Sequence, residues 1–182
     1  MKGVIFNVVQ EVVEDLYDTD TWDDLLDAAA VDGAYTALGD YADTELLAIV
    51  AAASTATGLP ADDVLRLVGH HATAKLASRV PSSLTDAPDA LSFIRRVNDI
   101  IHPEVLKIYP QSIPPAFEFE DHDDGMLVTY MSARNLPALA EGLLSGVSEL
   151  FDEKIEVTAV ATDSTTSTTF LVSASPGSPN GA

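Results

Sequence analysis

The sequence predicts an α+β domain: a helical first part, then a small antiparallel sheet with one helix packed on it. Three observations carry that expectation. Apolar residues recur at helical spacing from Val4 to Ile100, with Gly and Pro punctuating the segments. After Pro110 the period changes to the alternation of strands. The length of 182 residues, 47% of them hydrophobic, suits one domain with a sizeable core.

The first helix is expected through Val4, Ile5, Val8, Val9, Val12, Val13 and Leu16, with Gln10, Glu11, Glu14 and Asp15 between them. Asp20 or Thr21 is placed to cap a short second helix carrying Trp22, Leu25, Leu26 and Ala29. Gly33 and Gly39 frame a loop. Asp43 or Thr44 opens a third helix with Leu46, Leu47, Val50 and Ala51, ended by Gly58 and Pro60. Pro60, whose missing N–H suits a first turn, starts a fourth that runs through Val64, Leu65, Leu67, Val68 and Leu76 to Pro81. A fifth begins between Asp86 and Asp89, carries Leu91, Phe93, Ile94, Val97 and Ile100, and stops at His102–Pro103. Ala116 to Asp121 and Met126 to Ser132 read as strands of a hairpin, turned by Asp123–Asp124–Gly125. Pro137 to Phe151 reads as an amphipathic helix. Ile155 to Ala161 and Ser167 to Val172 form a second strand pair, joined by Thr162 to Thr166. Residues 1–172 are thus expected to make a single domain, and residues 173–182 a disordered tail.

Charge excludes more than it assigns. Nine Lys and Arg against 29 Asp and Glu leave a formal net charge of −20, which repels nucleic-acid backbones and anionic membrane surfaces. The absence of cysteine removes disulfides, thiolate metal sites and thiol nucleophiles together. Val4–Ile5–Phe6 seeds no signal-peptide core, and the apolar stretch from Leu46 to Ala53 is far short of a bilayer span, so a soluble, cytoplasmic protein is expected. The acidity itself has two readings. Dense carboxylates keep a surface hydrated in a high-salt cytoplasm, and they also make an interaction surface for a basic partner.

Most catalytic patterns are missing. Gly142–Leu143–Leu144–Ser145–Gly146 places its serine too late for a nucleophile elbow, and no glycine-rich phosphate loop or His-Glu-x-x-His helix occurs. Asp18, Asp20 and Asp24 begin like a calcium loop, but Trp22 takes a ligand place and Asp23 the required glycine. Four histidines remain. His122 sits among acids beside a turn. His70 and His71 are helix neighbours about 100° apart, so they are not expected to share a metal ion easily. His102 lies among Ile100, Ile101, Val105 and Leu106, where a core histidine bonded to a carbonyl is the plain alternative to a ligand.

Three segments occur in order: Met1–Lys2–Gly3–Val4–Ile5–Phe6–Asn7, Asp99–Ile100–Ile101–His102–Pro103–Glu104–Val105 and Tyr130–Met131–Ser132–Ala133–Arg134. Through them the chain resembles the haem-nitric oxide/oxygen binding domain family, which includes the sensor domain of soluble guanylate cyclases. The His-Pro pair followed by Tyr-x-Ser-x-Arg carries the likeness, over roughly residues 1–172. It implies haem b, buried between the helical part and the sheet. His102 matches the proximal ligand, binding iron through Nε2 while Nδ1–H is held by an acceptor.

Tyr130, Ser132 and Arg134 match the motif that holds the two propionates. Chemistry supports this, since carboxylates suit a guanidinium fork and hydroxyl donors, and alternate strand residues share a face. Asp43 matches an acid that orients the arginine. Pro115 matches a proline that presses on the porphyrin, and Ile5 and Leu139 join the haem-binding set. Leu139 falls where oxygen-binding members carry a distal tyrosine, with Val9 and Ala72 at helper positions and His71 the one alternative donor. The resemblance therefore implies a gas sensor that binds nitric oxide and CO at five-coordinate ferrous haem and excludes O₂. It is not expected to be an enzyme. Its output would pass to a separate histidine kinase, diguanylate cyclase or chemotaxis receptor. The rival from another class is a haem-free module of the same fold that binds a protein or small molecule.

Overall fold

The structure, a computed structural model, describes residues 1–82, 86–164 and 166–177. The fold is α+β. Helices α1 (Gly3–Leu16), α2 (Thr19–Ala29), α3 (Asp43–Thr57) and α4 (Ala61–Ala77) form the first part. Their apolar faces meet in one cluster that includes Phe6, Val9, Val12, Trp22, Ile49 and Leu65. The cap of α2 is Asp18 rather than Asp20 or Thr21. Its carboxylate accepts from the Thr21 N–H at 2.7 Å, which leaves Asp20 in the first turn, where the helix dipole favours an acid. Gly58 ends α3 at φ 75°, a left-handed cap that glycine adopts without strain.

The helix expected to stop at His102–Pro103 does not stop there. Asp89 caps α5 (Ala90–Arg96) by accepting from the Ser92 N–H at 2.7 Å. The chain then widens into one π turn, Val97–Ile101, and continues as α6 (His102–Ile108). The His102 N–H donates to the Val97 carbonyl, five residues back. Pro103 therefore stands in the first turn of α6, where its missing N–H is tolerated. Such π turns concentrate at functional sites.

Strands β1 (Ala116–His122), β2 (Gly125–Met131), β3 (Glu153–Ser164) and β4 (Ser167–Pro176) make one antiparallel sheet in the order β1-β2-β4-β3. Gly125, at φ 142°, closes the first hairpin against His122. Helix α7 (Pro137–Ser145) and a short 3₁₀ turn (Gly146–Glu149) join β2 to β3, so the helix expected to reach Phe151 is shorter. The second strand pair is longer than expected. β4 does not end at Val172 but pairs on to Pro176, opposite Glu153, so residues 173–176 of the expected tail are strand. Residues 178–182 of that tail lie outside the described residues.

One face of the sheet, with Met126, Val128, Phe170 and Val172, packs on Phe93, Ile94 and Leu144 in a second cluster. Helix α7 is the shared wall. Ala138, Leu139 and Leu143 face the first cluster, while Ala140 and Leu144 face the second. The Gly142–Gly146 segment is the seam where α7 meets α4: a Cβ at Gly142 would lie 2.3 Å from the Arg66 carbonyl oxygen. Among the described residues no single helix is long and apolar enough to cross a membrane.

Candidate functional site

His102 stands at the joint between the π turn and α6. Its ring stacks on Phe117 of β1 at a centroid distance of 6.0 Å, and Phe117 in turn lies 5.9 Å from the Tyr130 ring. Asn98, inside the π turn, accepts from the Phe117 N–H at 3.3 Å and ties the turn to the strand. Burial pushes the His102 imidazole down to about 4, against a smaller upward pull from the Pro115 carbonyl. At neutral pH the ring is therefore uncharged and keeps a nitrogen lone pair. Nδ1 is buried and closes no hydrogen bond of good alignment.

The Tyr-x-Ser-x-Arg residues come together differently from the expected strand alternation. β2 ends at Met131, so only Tyr130 is on the strand, while Ser132 and Arg134 belong to the turn that follows. The Ser132 hydroxyl oxygen accepts from the Arg134 N–H at 3.2 Å, and Asn135 holds φ 49° as the chain turns toward α7. The Tyr130 hydroxyl accepts from the Leu136 N–H at 3.3 Å. Both hydroxyls accept in these bonds, which leaves each O–H proton available to a further acceptor. Arg134 Nη1 donates to the Ile113 carbonyl at 2.6 Å, and Nε lies 3.1 Å from Asp43 Oδ2. Burial pushes the Asp43 carboxyl up, but the Met1 amino group and Arg134 together hold it below the ordinary value.

Val9 on α1, Ala72 on α4 and Leu139 on α7 belong to the first cluster, and Ile5 is half-buried on α1. None of these side chains carries a hydrogen-bond donor. His71, the alternative donor, faces elsewhere: its Nδ1 lies 3.1 Å from Glu149, beside a surface cleft.

The residues present fit a group that carries carboxylates and takes a nitrogen lone pair. Among the described residues, the buried side-chain nitrogens and oxygens without a well-aligned hydrogen bond are Asp43 Oδ1, His102 Nδ1 and Arg134 Nε. Two of them are ion-paired, Asp43 Oδ1 with the Met1 amino group at 2.8 Å and Arg134 Nε with Asp43 Oδ2 at 3.1 Å, so His102 Nδ1 is the orphan. A buried polar atom left unsatisfied costs about 1–3 kcal/mol, so its persistence marks a place shaped for something other than packing. Phe117, Asn98 and the Ile113 carbonyl escape the sequence reading. Ile113 contributes only backbone, and the other two depend on a strand meeting a π turn.

The family model described as haem-NO-binding matches residues 2–159. An H-NOX protein from Shewanella oneidensis, solved in the Fe(II)NO ligation state, is 29% identical, with a TM-score of 0.86 over 96% of this chain and 99% of that one. The IWP-051-bound H-NOX from Shewanella woodyi, in the Fe(II)CO state, is 30% identical with a TM-score of 0.77, covering 100% and 97% of the two chains. The Fe(II) unliganded H-NOX protein from K. algicida is 25% identical, with a TM-score of 0.83 over 97% and 98%. No curated protein matches the chain.

Proposed function

The chain belongs to the haem-NO-binding family, and from that premise we propose that it is a haem b sensor that takes nitric oxide and CO, excludes O₂, and signals without catalysis. Haem, when bound, supplies a ferrous iron open to a diatomic gas. His102 would offer the uncharged nitrogen that holds it, with the Pro115 carbonyl the neighbouring acceptor for the ring. Tyr130, Ser132 and Arg134 direct two hydroxyl protons and a guanidinium at the propionates, and Asp43 steadies the guanidinium. Ile5 and Leu139 would exclude water from the gas side, and Pro115 would lie against the macrocycle. The observation that carries gas selectivity is the shared apolar cluster of Val9, Ala72 and Leu139. Bound O₂ needs a donor to its partly anionic outer atom, whereas nitric oxide does not.

The output passes in the cytoplasm to a separate histidine kinase, diguanylate cyclase or chemotaxis receptor. The test is the absorption spectrum of the reduced protein under nitric oxide, CO and air. A Soret band that shifts with the first two gases and not with air is expected, and Leu139→Tyr should gain a response to air. His102→Gly should alter the spectrum, and added imidazole should restore it. A missing Soret band would favour the haem-free module instead, and a stable response of the wild type to air would overturn the selectivity.

A further inference from the structure

His70 and His71 diverge as helix neighbours must, yet the fold supplies what their own helix cannot. Glu149, from the 3₁₀ turn after α7, comes between them: its Oε1 lies 3.4 Å from His70 Nε2 and 3.1 Å from His71 Nδ1. One nitrogen from each ring and a Glu149 oxygen all lie within 4.8 Å of one another. Ligand atoms around a tetrahedral zinc ion, at 2.0–2.2 Å from it, are about 3.4 Å apart. Two of the three separations already match, and the side chains are 34%, 32% and 31% exposed, free enough to close the third.

The tautomer of His70 is fixed by its other nitrogen. The Ser145 hydroxyl spends its single proton on the Gly142 carbonyl at 2.9 Å, so it can only accept from His70 Nδ1, 3.0 Å away. In the neutral ring Nε2 is then a bare lone pair aimed toward a carboxylate oxygen. Two lone-pair-bearing atoms at that distance are bridged either by a proton or by a metal ion, and Glu149 faces a second ring nitrogen at 3.1 Å as well. Holding the unused imidazole nitrogen in this way is what metal-binding histidines do. Gly146 permits the approach, since a Cβ there would lie 2.1 Å from the His70 carbonyl oxygen.

We propose that His70, His71 and Glu149 bind a divalent first-row transition metal, zinc foremost, at a site apart from the haem pocket. Two imidazoles and one carboxylate suit zinc, nickel or copper rather than magnesium or calcium, which prefer all-oxygen shells. A surface cleft of about 260 Å³ beside His71 and Glu149 gives access, and the net charge of −20 draws cations to it. Lys75, on the rim, has its charge offset by Asp15. The metal joins α4, part of the first cluster, to the turn whose Val147 lies in the second.

Tag-free protein, cleared of metal with a chelator, is titrated with zinc chloride in a calorimeter, with and without haem. One equivalent should bind with a dissociation constant of about 10 µM or below, and magnesium chloride should give no such heat. His70→Ala, His71→Ala and Glu149→Gln should each weaken binding at least about tenfold, and Ser145→Ala several-fold, by freeing the His70 ring. His122→Ala should change nothing. Zinc should also raise the melting temperature of the wild type but not of Glu149→Gln. Should the histidine variants fail to fold, Glu149→Gln alone decides. Binding well below one equivalent, or equal zinc affinity in Glu149→Gln and wild type, overturns the site whatever the haem spectrum shows.

Discussion

Arg134 is a half-buried cation in a site rich in carbonyls and acids. Asp43 neutralises it at Nε, 3.1 Å away, and the Ile113 carbonyl takes Nη1. On the proposed reading, replacing it with alanine leaves two carboxylates of a bound haem without their charge partner. The side chain is only 27% exposed, so solvent compensates in part. Haem loss from Arg134→Ala to an excess of apomyoglobin should be roughly ten to thirty times faster than from wild type. Arg134→Lys should fall between, because it keeps the charge and loses the planar fork. Equal rates in all three would reduce Arg134 to an ordinary ion pair between a turn and α3. His102, Tyr130, Ser132, Arg134 and Asp43 are candidates that the sequence offers by residue type and order, and the fold brings Asp43 beside Arg134 and His102 against Phe117, next to Tyr130. The pairing of His70 and His71 through Glu149 is not legible in the sequence: helical geometry alone sends them apart, and their common partner is more than one element away.

At the scale of elements, the periodic segments were legible and their ends were less so. The apolar faces of α1 and α4 appear largely where the 3.6-residue period puts them, because those helices bury one stripe against a single cluster. On α3, Leu46 and Val50 are buried as expected, but Leu47 and Ala51 are exposed and Ile49 takes the inner place. The sequence reading fails at Pro103, where a local rule for proline met a π turn that lets the helix resume. It fails again at residues 173–176, whose small and polar side chains suggest a tail until β3 offers a ladder to pair with. The α4–α7 seam shows the same dependence on tertiary context. A Cβ at Gly146 would meet the His70 carbonyl at 2.1 Å and the Thr73 hydroxyl at 2.7 Å, so Gly146→Ala must push two helical elements apart. That overpacking should cost about 1–3 kcal/mol. It should appear as a melting temperature lower by roughly 2–10 °C in a thermal denaturation scan. An unchanged melting point would mean that the seam relaxes without loss.

Over the whole molecule, charge and packing pull against one another. Among the described residues every lysine and arginine except Arg96 is paired with a carboxylate, and Arg96 donates to the Asp86 carbonyl. With 29 acids and nine such cations, most carboxylates meet no Lys or Arg, and their repulsion acts against the compact state. Added salt does two opposing things. It weakens the exposed ion pairs, each worth about 0–1 kcal/mol, and it screens the repulsion among all the remaining acids. The second effect extends over many more pairs, at separations that fall beyond the Debye length only when salt is high, about 30 Å at 0.01 M and 3 Å at 1 M. The melting temperature should therefore climb steadily with sodium chloride across that range, by several degrees at least. Sucrose of matched osmolality should not reproduce the slope, and neutralising unpaired surface acids such as Asp23 and Asp27 to asparagine should flatten it. A melting temperature that is flat or falls with salt would show that the local ion pairs, not the net charge, set the stability of this fold.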